Sequence, residues 1–268
     1  MIEFQAVSGG YPDRKVLREI SFSVAKGSLT ALIGPNGCGK TTLLRTAARR
    51  LSASGGRILL EGRPIEEYGR KEFARTAAFL PQNRSVPGIT VRALVSHGRF
   101  PYLGFSRRLR AADRAAVRRA LEITATGDWA ERDLRELSGG ERQRVYLAMA
   151  LAQDTGTILL DEPTAFLDLY RQFELLELLR RLCDEGKAIL IVLHDLALAL
   201  QYSDQLVLLE QGRMAAVGTP EQIVAQGALD RVFRVQTHRA EGGYWFSPAQ
   251  REGQKGSLED GGTEKNLD

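Results

Sequence analysis

Apolar and polar positions alternate in short runs over residues 2–7, 20–24 and 29–33, with Gly and Pro between them. A period of two predicts strands at all three places. A glycine-rich turn follows at 34–39, and helical spacing takes over from 41 to 51. Short strands are expected at 57–60 and 77–80, flanking a turn-and-helix connection over 62–75. From about 91 to 135 Ala, Leu and Arg recur at helical spacing and no strand pattern appears, which predicts an inserted helical subdomain. Beyond it, expected helices over 139–152, 168–184 and 195–203 alternate with apolar runs at 157–160 and 188–193. That alternation is the mark of βαβ units and a parallel sheet. Residues 206–210 and 213–217 surround Gln211-Gly212 and predict a hairpin. The globular part is expected to span 1–247. Residues 248–268, rich in Gly, Glu, Asp and Lys, are expected to be a polar, disordered tail.

Composition narrows the class. Across 268 residues, 43% are hydrophobic, 26% charged and 7% aromatic, values of an ordinary globular chain rather than a collagen, a coiled coil or a disordered one. Two cysteines, Cys38 and Cys183, cannot build a disulfide framework or a four-cysteine zinc site, and they fit a reducing compartment. The longest apolar stretch, 188–200, is broken by His194 and Asp195 and is shorter than the ~20 residues a spanning helix needs. The opening Met1-Ile2-Glu3-Phe4-Gln5 lacks the layout of a signal peptide. The expectation is a soluble chain whose membrane role, if it has one, comes through a partner.

The chemistry begins at Gly34-Pro35-Asn36-Gly37-Cys38-Gly39-Lys40-Thr41, which matches the phosphate-loop pattern G-x-x-x-x-G-K-[ST] and is followed by Thr42. Its glycines let successive N–H groups curl around an anion, and the helix that follows adds positive potential. Lys40 is placed to reach the outer phosphates, and the Thr41 hydroxyl to ligate Mg²⁺. Downstream, the apolar run 157–160 ends in Asp161-Glu162. A carboxylate pair at the C-terminal edge of a parallel sheet lies where such sheets bind ligands. One carboxylate can hold Mg²⁺ and the next can act as general base on water. A third feature, Leu137-Ser138-Gly139-Gly140-Glu141, reads as a capped helix start whose small residues leave amides open to a second anion. One nucleotide cannot obviously use both helix termini.

These motifs, in this order and spacing, resemble the ATP-binding subunits of ABC transporters across roughly residues 1–247. The fold that the resemblance implies is α/β: a P-loop NTPase (RecA-like) core with an N-terminal antiparallel β subdomain and the inserted α-helical subdomain. In that family two copies pair head to tail, so Ser138, Gly139, Gly140 and Glu141 of one copy would close on ATP held by the other. A homodimer is then the functional unit. The resemblance also implies roles for single residues. Tyr11, expected just upstream of the strand pair, matches the adenine-stacking aromatic. Gln82, in Phe79-Leu80-Pro81-Gln82, matches the glutamine that touches Mg²⁺ and the attacking water and senses the membrane partner. His194 matches the switch histidine at the γ-phosphate, and Asp168 the loop that couples the two sites. Ala165 stands where relatives often carry serine, and Glu141 where they often carry glutamine. Cys38, at a helix N-terminus, is expected to have a lowered thiol pKa and so to react with thiol reagents. Cys183 is expected to be packing alone.

Gly98-Arg99-Phe100-Pro101-Tyr102-Leu103-Gly104, together with the pattern from Val217 to Val235, resembles the importers of iron–siderophore complexes, haem and cobalamin. The implied function is an ATPase that powers such import, with ATP and Mg²⁺ as cofactors. The implied partners are integral-membrane permease subunits and, indirectly, a substrate-binding protein, with the chain peripheral on the cytoplasmic face of the membrane. The alternative is a soluble ABC ATPase of iron–sulfur assembly or of nucleic acid and ribosomes; the long insertions of DNA-repair members and the paired ATP domains of ribosome-acting ones are not seen, the motifs alone leave the assembly ATPase open, and no nucleic-acid partner is expected. Charge bears on this choice. Of 37 basic residues 30 are Arg, the net charge is +4, and the stretch 99–119 alone holds seven arginines against Asp113. No nucleic-acid motif accompanies that basic stretch. It is expected to form a surface, centred on Arg107, Arg108 and Arg110, facing permease loops or anionic lipid headgroups.

Overall fold

The structure, a computed structural model, describes residues 1–82, 84–104 and 108–249. Strands β1 (Ile2–Tyr11) and β2 (Arg14–Val24) form an antiparallel hairpin. Both are longer than the alternation suggests, because bulges interrupt it. Ala6 and Glu19 sit at positive φ (48° and 55°), and their N–H groups donate to the hydroxyls of Ser21 and Ser8 rather than to the ladder. Strand β3 (Leu29–Ile33) then leads into helix α1 (Lys40–Ala47), which ends four residues before the expected point as Arg49 turns to positive φ. Strands β4 (Ala53–Leu60) and β5 (Arg63–Pro64) complete a four-stranded sheet in the order β2-β1-β4-β5.

Helix α2 (Arg70–Thr76) runs into β6 (Ala77–Leu80). The arginine-rich stretch that follows holds helices and no strand in its described part: α3 (Val91–Ser96), a 3-10 turn at His97–Tyr102, and α4 (Ala111–Ile123). Helix α5 (Gly139–Ala152) begins at Ser138 and precedes β7 (Thr157–Leu160). Then come α6 (Leu169–Asp184), β8 (Ala188–Val192), α7 (Leu196–Tyr202), and the hairpin of β9 (Gln205–Glu210) and β10 (Arg213–Gly218). Two short helices, α8 (Pro220–Ala225) and α9 (Ala228–Phe233), and a hairpin of β11 (Val235–Ala240) and β12 (Gly243–Pro248) follow. The periodicity reading holds none of these last four. Residues 250–268, where most of the disordered tail was expected, lie outside the described residues.

The second sheet has six strands in the order β10-β9-β3-β8-β7-β6. Strands β9, β3, β8, β7 and β6 are parallel, and β10 pairs antiparallel at one edge. Both faces are covered, so β3, β7 and β8 are buried at every position, and all of those positions but Thr30 and Thr157 are apolar. Leu29, Ala31, Ile33, Ile189, Ile191, Leu206 and Leu208 enter one core, with α5, α6 and the helical insertion. Leu32, Leu190, Val192, Val207 and Leu209 enter the other, with α1 and the antiparallel sheet. The consequence for function is positional. Strands β3, β6, β7 and β8 all end at one edge of the sheet: β3 leads there into the glycine loop at Gly34, and β6, β7 and β8 deliver Gln82, Asp161 and His194 within two positions of their last residues.

Candidate active site

The phosphate loop is a nest braced from behind. Gly34 has φ 148° and Gly39 has φ 113°, and a Cβ built on Gly34 would lie 2.2 Å from the Leu209 carbonyl, so the strand can approach β9 only without a side chain. The loop closes through Cys38 N–H to Pro35 O (3.3 Å). It is tied to the β9–β10 turn by Gly212 N–H to Cys38 O (3.0 Å), and that turn to β2 by Arg18 N–H to Gly212 O (2.8 Å). Lys40 is buried with its ammonium folded back on its own loop, donating to Gly34 O (2.6 Å) and Pro35 O (3.1 Å). Carbonyl oxygens therefore hold the ammonium in the nest that a phosphate oxygen would enter.

Opposite the loop, the Thr41 hydroxyl donates to Asp161 Oδ1 at 3.1 Å. Asp161 is fully buried and its Oδ2 has no partner. Burial raises its pKa; the Thr41 hydroxyl and the Gln82 backbone N–H oppose that rise, and the charge of Glu162 adds to it. A buried carboxylate with a free oxygen, beside a hydroxyl, is a hard-oxygen donor set of the kind Mg²⁺ takes. Glu162 is held from two sides: Gln82 Nε2 donates to Oε2 (2.6 Å), and His194 Nε2 lies 2.5 Å from Oε1. Its backbone sits at φ 52°, a left-handed conformation costly for a glutamate and the kind of local strain that concentrates at functional sites.

Tyr11, Asn36, Gly37, Gly39, Lys40, Thr41, Thr42, Glu162 and His194 line one cleft of about 260 Å³, together with Arg14 and Val16. Tyr11 is not upstream of the strand pair, as expected, but at its tip, the last residue of β1, opposite Arg14 across the two-residue turn. Its ring is 42% exposed, and its hydroxyl accepts from Arg45 of α1 (3.2 Å). Arg14, Arg45 and the brace at Gly212 escaped the sequence reading. Arg14 could have been found from the turn that pairs it with Tyr11, whereas Gly212 is visible only once β10 is placed.

Ser138, Gly139, Gly140, Glu141 and Asp168 do not line that cleft. The Ser138 hydroxyl accepts from Glu141 N–H (3.3 Å), and the Glu141 carboxylate accepts from Ser138 N–H (2.7 Å), a reciprocal cap that holds the Glu141 carboxyl below the usual range. The expected opening of the helix start is thus narrower than its spacing suggests, since glutamate closes part of it. Asp168 caps α6 by accepting from Arg171 N–H (2.9 Å). Its neighbour Phe166, at φ 65° and 87% exposed, stands beside Gly139.

Two expectations are corrected. The Cys38 thiol is buried behind the loop, and burial raises its pKa despite the pull of Lys40, so the site is not an activated thiolate. Cys183 is buried in the core, its thiol pushed up to about 12 by burial. The basic stretch is not one surface either. Arg99 and Asp113 are both buried and paired at 3.1 Å, and Arg99 also donates to Ala152 O (2.9 Å). Arg108, Arg110, Arg114, Arg118 and Arg119 are exposed, while Arg107 lies outside the described residues.

A family profile described as ABC transporter matches residues 17–165, just over half of the chain. The iron(3+)-hydroxamate import ATP-binding protein FhuC of Bacillus subtilis is 44% identical over 228 residues, 84% of this chain and 85% of that one. The ferric enterobactin transport ATP-binding protein FepC of Escherichia coli is 42% identical over 226 residues, 84% and 83% of the two chains. A solved ATP-binding subunit of an ABC transporter superposes with TM-score 0.76 at 27% identity, covering 87% of this chain and 98% of that one. Among the described residues no helix is long and apolar enough to cross a membrane.

Proposed function

The chain belongs to the ABC transporter ATP-binding family, and from that premise we propose that it hydrolyses ATP to power uptake of an iron–siderophore complex through a separate membrane permease. The cargo follows the relatives, whose names are those of siderophore importers. The observation that carries the enzymology is the meeting, at one sheet edge, of the phosphate loop, the Thr41–Asp161 pair and a Glu162 held between Gln82 and His194.

In this reading Tyr11 stacks on adenine and the amides of 36–41 hold the phosphates. Lys40 turns its ammonium from the carbonyls of Gly34 and Pro35 to the outer phosphate oxygens. Mg²⁺, when bound, supplies charge neutralisation at those oxygens, and Thr41, Asp161 and Gln82 are the residues that would hold it. Glu162 accepts a proton from water as the water oxygen bonds to the γ-phosphorus and the bond to ADP breaks, releasing ADP and phosphate. His194 orients Glu162 and meets the γ-phosphate. Ser138, Gly139 and Gly140 of a second copy close the cleft, with the Asp168 loop between the two sites. The absence of those three residues from the chain's own cleft favours such a homodimer. The copies sit on the cytoplasmic side beneath the permease, which a substrate-binding protein loads.

Glu162→Gln tests the base. ATP binding should persist while hydrolysis falls about 10²- to 10⁴-fold, the usual worth of a general base; normal turnover would overturn the assignment. Uptake of ferric siderophore, haem and cobalamin by cells carrying Glu162→Gln tests the cargo. Loss of siderophore uptake alone is expected, and loss of cobalamin or haem uptake instead would reassign it.

A further inference from the structure

Helix α5 is more than the carrier of Ser138–Glu141. One of its faces reaches both strands that supply the Gln82–Glu162 pair. Gln143 is buried, and its Nε2 donates to the carbonyl of Pro163 (2.5 Å), the residue after Glu162. Tyr146 lies one turn on, on the same face. It is also buried, and its hydroxyl donates to the carbonyl of Ser85, three residues after Gln82. Arg84 completes this second attachment: its guanidinium lies 4.9 Å from the centroid of the Tyr146 ring, and its Nε donates to Pro81 O (2.6 Å). The contacts close a loop, from α5 through the Tyr146 ring and Arg84 to Pro81 and the adjoining Gln82, across the 2.6 Å hydrogen bond to Glu162, and back through Pro163 and Gln143 to α5. None of Gln143, Tyr146 or Arg84 lines the nucleotide cleft. The donors are durable ones. Burial raises the Tyr146 hydroxyl pKa, and it lowers that of Arg84 only to about 10, so both stay protonated near neutral pH.

We propose that Gln143 and Tyr146 are positioning residues for hydrolysis, a two-point grip by which α5 sets the separation of Gln82 from Glu162. The proposal rests on the roles given above to Gln82 and Glu162. It has a mechanical consequence: whatever displaces the N-terminus of α5, where Ser138 and Gly139 lie, also changes the geometry of the catalytic pair through a rigid helix. The helix is 14 residues long, and Gln143 and Tyr146 lie within its first eight.

The test is Tyr146→Phe, which keeps the ring under Arg84 and deletes only the hydroxyl, with Gln143→Met as the second variant should the first be poorly folded. Each should lower kcat about 3- to 10-fold, the rate equivalent of one hydrogen bond, with KM for ATP and nucleotide affinity unchanged. In a Gln82→Ala background Tyr146→Phe should cost nothing further, because the residue it positions is gone. Unchanged kcat, a Tyr146→Phe fall that multiplies with that of Gln82→Ala, or a fall matched by weaker ATP binding would each overturn the grip. Glu162→Gln run beside them separates the two levels. If that variant is inactive while Tyr146→Phe and Gln143→Met turn over normally, only this inference fails; if it turns over normally, the catalytic reading itself fails.

Discussion

The edge where β3, β6, β7 and β8 end and the helical insertion between β6 and α5 both bury charged side chains, and they treat them in opposite ways. Among the described residues of the insertion every buried charge is answered. Arg99 spans Asp113 and the Ala152 carbonyl, and Asp113 also accepts from the Arg110 backbone N–H. At the sheet edge the buried charges are answered poorly. Lys40 rests on two carbonyls of its own loop, and Asp161 keeps an oxygen with no partner. A buried polar atom without a partner costs about 1–3 kcal/mol. Persistence of that cost at one edge marks the place where a ligand completes the structure, whereas complete satisfaction marks a place where the fold is already finished.

Breaking the satisfied pair should have the largest effect on stability. Arg99→Met leaves Asp113 buried and unpaired, and should destabilise the fold by about 3–5 kcal/mol, as for other buried pairs with one partner removed. Urea unfolding at neutral pH measures it, and a loss below about 1 kcal/mol would show that the pair is dispensable. The pH dependence is fixed by sign. Burial pushes the Asp113 carboxyl up, but the Arg110 N–H and the Arg99 guanidinium outweigh it and hold the folded value below the ordinary 3.8. The pair's contribution is therefore complete above that value and is lost as pH falls through the lower folded one. The gap between wild type and Arg99→Met should narrow only in that acid range.

At the sheet edge the comparison inverts. Asp161→Asn removes a buried charge that nothing in the nucleotide-free chain satisfies, while the amide oxygen can still accept from Thr41. The nucleotide-free, Mg²⁺-free variant should be more stable by about 1 kcal/mol, or about 2–4 °C in Tm, and should lose hydrolysis. Because burial raises the Asp161 pKa, the wild-type penalty is absent below the carboxyl's ordinary 3.8 and grows as pH rises through the higher folded value. Thermal scans across that range should diverge in this direction. A variant that melts lower at neutral pH would mean that Asp161 is a structural carboxylate, and the contrast between the two regions would fall.

The two regions also differ in how far residues alone disclose them. The phosphate loop is a local pattern, and eight consecutive residues specify its nest, so it could be read directly. That Gln82, Asp161 and His194 join it depends on strand order β3-β8-β7-β6, which no local period encodes; Asp161 could be placed at the binding edge from the parallel-sheet pattern, but for Gln82 and His194 only the family resemblance supplied it. The Arg99–Asp113 pair was hidden for a related reason. Counting charges along 99–119 cannot tell a residue that folds inward at a 3-10 turn from those facing water on α4. Cys38 misled because the helix-terminus rule lowers a thiol pKa while burial raises it, and depth is not written in the loop. The bulges at Ala6 and Glu19 broke the alternation that would have disclosed the full length of β1 and β2. The hairpin of β11 and β12 had a signal, Glu241-Gly242-Gly243 followed by aromatics, weaker than those before it.

The smallest effects belong to the charges that remain outside. Arg110, Arg114 and Arg118 are spaced by four along α4 and its cap, so they share one face, and among the described residues no ion pair engages them. Arg119 pairs with Glu185 at 3.0 Å, but both are exposed and the pair is worth no more than about 1 kcal/mol. Charge reversal at Arg114 and Arg118 should therefore leave unfolding within about 0.5 kcal/mol of wild type and leave ATP hydrolysis unchanged. What should change is the salt-dependent association of the chain with vesicles containing anionic lipid, each arginine near such a surface contributing about 1 kcal/mol. If the variant binds those vesicles as wild type does, the exposed arginines are only a solvated face. If it unfolds far more easily, the division between inward and outward charge on this helix is drawn in the wrong place.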